Sequence, residues 1–554
     1  MMEQTQFIHN EESYNEHMIH KYEGQIKDGN LEIGNPNRGA PDVINLKFLE
    51  KFNIQTLKLY TNNVTNVKLR NTTIKVLTLG KYIKQFKFYL QVDDLELENL
   101  EVLDLEDNNL ENNQLYNLAK FKKLHSLNIS RNNVDLTHIH MVSSLTKLYM
   151  RHCGLLNINQ VSQLVNLEEL DLSYNKGIQY ISPLYKLNNL TTLTMQYCGL
   201  KNINQISLLV NLKELNLSQN KGIKDITPLC KIKSLTKLTM RQCGLKNIDQ
   251  ISSLVNLEDL NLSENIGIDI APLCKLKKLI RLLIRECDLI NFNKIGLLTN
   301  LQVLDSSINI LKTIDSIDLL VNLKELTISE NLYTKTINIT SLNDLVGLIK
   351  LNLSCCKLRQ LSALKELINL QALDLSNNYF ENINELQYLK SLTHLKLNNC
   401  EIVSVCSLRP LLKLEQLDIS FNNIVYLDAN IDQMENLKEL HVQFNRISDF
   451  SSIEQHPNYN NIYENGLRYF NISDQKEPYE LYEEELYLAN ELRNIESPNI
   501  QLKEIQTQRK SFQTMFDNFK QQINAVLNNA RQSQIQFTAN VVRLFQLLNQ
   551  FGFE

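Results

Sequence analysis

At 554 residues, with 43% apolar and 21% charged side chains and a formal net charge of −5, the chain is long enough for several domains but has no basic field to hold nucleic acid. No apolar run approaches the ~20 residues that span a bilayer, and the polar start MMEQTQFIHNEESYNEH lacks the apolar core of a secretory signal. Ten cysteines are too sparse for a disulfide scaffold, so the expectation is a cytoplasmic protein with reduced thiols that binds neither nucleic acid nor membrane.

Residues 1–40 show no periodicity and read as a flexible N-terminal tail. Residues 41–99 carry a degenerate pattern, IQTLKL at Ile54, VTNVKL at Val64, IKVLTL at Ile74, IKQFKF at Ile83 and VDDLEL at Val92. Spacings of 9 or 10 predict narrow coils with strands on two sides, acting as an N-terminal cap over the first apolar layer of a stacked array.

Leucine dominates the middle of the chain: 76 of the 97 leucines fall between Leu100 and Ile447. There the text L-x-x-L-x-L-x-x-N/C-x-L recurs with starts at 100, 124, 145, 167, 190, 212, 235, 257, 279, 301, 323, 348, 370, 392, 414 and 437. Residues such as Leu170 and Leu172 alternate with period 2 and predict a short strand with one buried face. The ninth position is Asn in ten copies and Cys in six (Cys153, Cys198, Cys243, Cys287, Cys356 and Cys400). An inward Asn can bond the backbone of neighbouring turns, and Cys is small enough to fill the same slot. In the second half, Ile178, Ile181, Leu184, Leu187 and Leu190 recur about every three residues, which suits 3₁₀ or extended backbone and not an α-helix. Asn-type and Cys-type copies alternate through the middle as a double repeat of about 45 residues.

After Ile447 the leucines thin out. Residues 448–478, with His456 to Tyr459 (HPNY) and Tyr463, Tyr469 and Phe470 nearby, read as a C-terminal cap. Residues 479–554 turn helical: Phe516, Ile523, Ala530, Phe537, Leu544 and Phe551 recur every seven. This is an a/d seam that reads either as a coiled coil offering self-association through residues 500–551 or as a hairpin packed on the cap.

No phosphate-binding loop, dinucleotide fingerprint, zinc-protease helix or nucleophile elbow occurs, and no C-x-x-C pair supports a metal. The expectation is no catalytic residue, no cofactor and no metal. The His9, His17 and His20 cluster and the His138, His140 pair read as incidental. That leaves the outward strand positions, the third, fifth, seventh and eighth. Cys-type copies present Lys147, Tyr149 and Arg151, then Lys237 and Arg241, then Arg281 and Arg285, while their neighbours present Glu169, Asp171, Glu214 and Asp259. These charges form either a laterally self-neutralised sheet or a mosaic for a partner of alternating charge. Tyr174 with Tyr197, and Phe421 with Phe444, sit at the eighth position of consecutive copies, with His394 and His441 on the same face as the Phe pair; aromatic pairs of this kind are candidate contact sites for a protein partner.

The motif L-x-x-L-x-L-x-x-N-x-I-x-x-I-x-x-L-x-x-L over residues 100–447 resembles the 22-residue class of leucine-rich repeats, as seen in the leucine-rich regulatory subunit of type-1 protein phosphatase and in bacterial internalins. The HPNY stretch is similar to the C-terminal cap of intracellular members. The resemblance implies an α/β repeat solenoid: a right-handed horseshoe with a curved parallel β-sheet on its concave side, a 3₁₀ or extended convex side, and here a C-terminal α-helical extension. It also implies a non-catalytic scaffold for protein–protein interaction, with the regulatory subunit of a phosphatase or other enzyme, or a surface adhesin or pattern receptor, as alternatives. The chain departs from the family text in lacking Trp and in its Cys-type copies.

Overall fold

A computed structural model describes residues 11–33, 46–60, 69–80 and 95–447, apart from positions 109, 111, 179, 293 and 332–336, together with 451–454 and 456–457. The expected coiled coil, and the cap residues Tyr459, Tyr463, Tyr469 and Phe470, lie outside the described residues.

The sequence periodicity becomes a stack of coils. Each L-x-x-L-x-L text bends into a three-residue strand two residues after its start, giving sixteen strands from β6 (Val102–Asp104) to β21 (Glu439–His441). Ahead of them lie β1 (Asn30–Ile33), β2 (Thr56–Tyr60), β3 (Leu69–Arg70), β4 (Val76–Gly80) and β5 (Leu95–Glu96). All strands except β3 and β5 join one parallel sheet of nineteen. A leucine holds the same register position in every one of them, beginning Leu31↔Leu57↔Leu77↔Leu103 and ending Leu395↔Leu417↔Leu440. Register is fixed this firmly because a slip of one residue would turn the leucine column out to water.

The narrow N-terminal coils alternate between two sheets. β2 and β4, twenty residues apart in register (Thr56↔Val76), belong to the long sheet, whereas β3 and β5 pair with each other on another side. The sheet also starts earlier than expected, which corrects the reading of 1–40 as a flexible tail. Residues Glu11–Glu23 form a helix, α1, and β1 pairs with β2. Among its described side chains Met18 and Tyr22, four residues apart, are buried, with Ile19 partly so, and Tyr22 stacks on Phe48 at 5.8 Å; so short an apolar set is too little to show as periodicity.

The return half of each coil contains a 3₁₀ turn, such as Ser182–Lys186, Thr227–Lys231 and Ala271–Lys275, with Pro183, Pro228 and Pro272 in the first turn. Pro fits there because its missing N–H has no partner to lose. At the other end Ile453 and His456 close the stack: both are buried, and His456 Nε2 lies 2.9 Å from the Met434 carbonyl.

Candidate functional site

Two adjacent columns define the surface that a partner could meet. The ninth column faces inward. An Asn there accepts N–H groups from the preceding coil and donates to backbone carbonyls of that coil and its own: Asn220 Oδ1 accepts from Cys198 and Leu200, and Nδ2 donates to Met195 and Leu217 carbonyls at 2.8 Å. Each Cys takes over only the donor half, sending S–H to the sixth-position carbonyl of the coil before it, as from Cys198 to Leu172 at 3.2 Å and from Cys243 to Leu217 at 3.1 Å. Its own N–H always goes to the Asn of the next coil. Burial pushes these thiols up to about 11 or 12, so they stay neutral donors. No cluster of three or more His, Cys, Asp or Glu suited to a metal occurs among the described residues.

The alternation of texts has the same cause. In Asn-type copies the fifth-position Asp or Asn accepts the N–H of the seventh residue, as Asp171 does from Ser173 and Asn216 from Ser218. That Ser then serves the next, Cys-type copy: Ser130, Ser173 and Ser263 hydroxyls accept the N–H of Arg151, Gln196 and Arg285. The seventh position is therefore buried in the eight Asn-type copies that carry Ser there, not outward as its number in the motif suggests, and Asp171 is buried with it. A second ladder runs along another edge, where the Asn before the first leucine donates to a carbonyl one coil back, from Asn166 onto Ser143 to Asn436 onto Leu412.

The eighth column faces the opposite way. In all sixteen repeats its residue is left-handed, with φ between 51° and 64°, and none is Gly. This backbone lets the strand exit and turn the ninth residue inward while throwing the eighth side chain out along the rim. For an L residue it costs roughly 1 kcal/mol or more, least for Asn or Asp, yet Tyr174, Tyr197, Ile308, Phe421 and Phe444 adopt it. Cys-type copies are left-handed again two residues on, at Gly154, Gly199 and Gly244 and equally at Asp288, Lys357 and Glu401. The turned peptide aims the Cys carbonyl back, where it accepts from Gly267 and Phe380 of the preceding coils.

The concave charges are spoken for. Lys147 meets Glu169 at 3.2 Å, Lys237 meets Glu214 at 3.4 Å, Arg281 meets Asp259 at 3.7 Å and Lys350 meets Glu325 at 2.7 Å, all across neighbouring strands. Arg151 binds the buried Asp171, and Arg241 binds Glu264 of the rim. Arg285 reaches Ser307 at 3.2 Å and Glu330 at 3.9 Å. Hydrogen bonding to Asp171 raises the Arg151 pKa, and burial, with Glu169 and Asp171 beside it, pushes the Tyr149 hydroxyl up to about 12. These lateral pairs are mostly half-exposed and individually weak, Arg151 with the buried Asp171 excepted.

The aromatic pairs come together on the rim. Phe421 and Phe444 stack at 4.4 Å. Tyr174 and Tyr197 meet edge to face at 5.8 Å, and His152 stacks on Tyr174 at 4.3 Å with the planes 10° apart. Lys176 lies 4.2 Å over the Tyr197 ring. His394 stands exposed at the third position beside Thr393, and His441, half-buried at the fifth, contacts Glu439 at 2.7 Å; neither joins the Phe stack. Sequence reasoning missed His152, although it shares the eighth position with Tyr174, and missed the amide chain continuing the rim. There Gln196 donates to Gln219 at 3.0 Å and Gln219 donates to Gln242 at 3.2 Å.

No protein-family model and no curated protein matches the chain. Among solved structures, a leucine-rich repeat protein of Leptospira interrogans aligns over 65% of this chain and 90% of its own, at 25% identity and a TM-score of 0.51. TLR13, solved as a complex with ssRNA13, aligns over 74% of this chain and 64% of its own, at 22% identity and a TM-score of 0.57. Both are similar to this chain in fold. Among the described residues no helix is long and apolar enough to cross a membrane.

Proposed function

The chain is a leucine-rich-repeat solenoid, and we propose that it works as a non-catalytic interaction scaffold that binds a partner protein on its concave wall and rim. One observation carries the reading: bulky aromatics are kept at left-handed rim positions, where a smaller residue would cost less, and they stack in two separate groups, Tyr174 with Tyr197 and Phe421 with Phe444. Stacking between the rings returns part of that cost, and the pairs leave aromatic surface at the rim. Rigid rings on a preorganised backbone lose little entropy on binding, which is what a contact surface needs.

The net charge of −5 argues for protein and against nucleic acid as the partner. Cytoplasmic residence fits a core whose ladder uses six S–H donors and a chain whose ten cysteines, Cys406 exposed among them, are all free thiols. The heptad text of residues 500–551 supplies a separate means of self-association.

Affinity purification with mass spectrometry tests this, run on the full chain, on a version ending at Asp474 and on a Phe421→Ala, Phe444→Ala variant. A partner shared by the full and shortened chains and lost from the double variant supports the concave reading. Partners recovered only with the C-terminal segment would move the function off the arc.

A further inference from the structure

We infer that the rim segment His152–Tyr174–Tyr197–Gln219–Gln242 is a docking wall for an uncharged, extended polypeptide segment, engaged through ring edges, hydroxyls and amides and not by stacking; this deepens the proposed function and rests on it.

The first ground is charge. The cations of the floor along this wall are already paired, Lys147 and Arg151 in its first coil and Lys237 and Arg241 in its last. Of the three coils between, two supply the pairing carboxylates Glu169, Asp171 and Glu214, and the middle one offers only Thr192, Thr194 and Gln196. A charged ligand would have to open a lateral pair or draw Lys176 off the Tyr197 ring, whereas an uncharged one leaves all of these contacts in place.

The second ground is geometry. His152 and Tyr174 lie face to face, Tyr197 packs against Tyr174 at 65°, and Lys176 covers the Tyr197 ring. The rings spend their faces on one another along the rim. Bases of single-stranded nucleic acid need a run of open ring faces to stack, and the apolar faces of sugars need open faces too; here each ring already gives a face or an edge to a neighbour or to Lys176. The polar groups along the wall are the Tyr hydroxyls, the imidazole nitrogens and the Gln amides. The Gln196–Gln219–Gln242 chain spends one N–H of each donating amide and leaves a second. Coils stack about 4.8 Å apart, so these groups form a closely spaced comb, suited to backbone carbonyls and small polar side chains of an extended segment.

The test uses the full chain, immobilised, and a phage-displayed library of short random peptides. Enriched peptides are expected to be depleted in Asp, Glu, Lys and Arg relative to the input. Their affinity should change less than about twofold between low and high salt. Tyr174→Phe with Tyr197→Phe keeps the stack and removes the hydroxyls, and should weaken binding about tenfold, with the thermal midpoint confirming an intact fold. Lys237→Ala should leave binding unchanged. Enrichment of charged peptides, or full binding by the Phe double variant, overturns the inference. So does displacement of bound peptide by homopolymeric single-stranded RNA or by a soluble glucan. Peptides that depend on Lys237 and Arg241 but not on the two Tyr hydroxyls would sink this inference and leave protein binding on the arc standing. No enriched peptide at all, on parent and variants alike, would overturn this inference, and protein binding on the arc would still answer to the affinity purification.

Discussion

The eighth and ninth columns are neighbours in every repeat, one residue apart, and they do opposite things. The ninth is buried, hydrogen-bonded on both sides and restricted to Asn or Cys; the eighth is left-handed, turned to the rim and chemically varied, with Arg, His, Tyr, Gln, Glu, Ile, Cys, Asn and Phe among its occupants. The same turn of backbone produces both. Turning the ninth residue inward to join coils forces the eighth out, so a ladder that holds the stack together also lays out a row of outward side chains. Stability and recognition are thus separable by a single step along the chain.

Asn220→Ala should break the ladder hardest. It strands the N–H groups of Cys198 and Leu200 and the carbonyl of Met195 in the core and leaves the Leu217 carbonyl to the Cys243 thiol alone, a loss of about 4 kcal/mol readable by urea denaturation. A loss below about 1 kcal/mol would show that the ladder is ornamental.

Cys243→Ala removes one S–H bond and little volume, so about 1.5 kcal/mol is expected. Its pH dependence sharpens the point. Burial raises the Cys243 thiol from 9.0 to about 11, so the folded state keeps a proton that the unfolded state sheds. That contribution is intact below pH 9 and is lost as pH rises towards 11. The gap between parent and variant should therefore narrow across that window, and a gap that widened would contradict a neutral donor thiol.

Smaller effects are expected on the rim, with one of opposite sign. Ile308, β-branched and left-handed at φ 51°, should gain about 1 kcal/mol on Ile308→Asn, measured by thermal unfolding. Destabilisation would mean that the Ile side chain is a packing element. Least of all, Lys237→Ala on the floor should shift stability by less than about 0.5 kcal/mol, since its pair with Glu214 is half-exposed on both sides.

The stack was legible because its signal is redundant. Sixteen strands begin two residues after sixteen textual starts, and the leucine at each centre could face nowhere but in. The three-residue spacing of Ile181, Leu184 and Leu187 likewise gave away the 3₁₀ turns. Left-handed backbone at the eighth column was not legible. Its usual marks, Gly and Asn, are absent or rare there, and the conformation is imposed by the ladder next to it. Gly154, Gly199 and Gly244 did mark the second left-handed site, but Asp288, Lys357 and Glu401 hide its other three instances. The motif positions foretold that Lys147, Lys237 and Arg281 face outward, as they do, and misled at the seventh position, where Ser hydroxyls are drawn in to serve the next coil. Residues 11–33 escaped because a helix buried by so short an apolar set carries no period.

The central claim is that a partner protein meets the concave wall and its rim and not the convex turns. Two tyrosines decide it: Tyr197, on the rim, and Tyr180, 75% exposed just ahead of the Ser182–Lys186 turn. With benzoylphenylalanine placed at either site in the full chain and irradiated beside the purified partner, covalent capture from position 197 with little or none from position 180 is the predicted result. Capture from position 180 alone would contradict it.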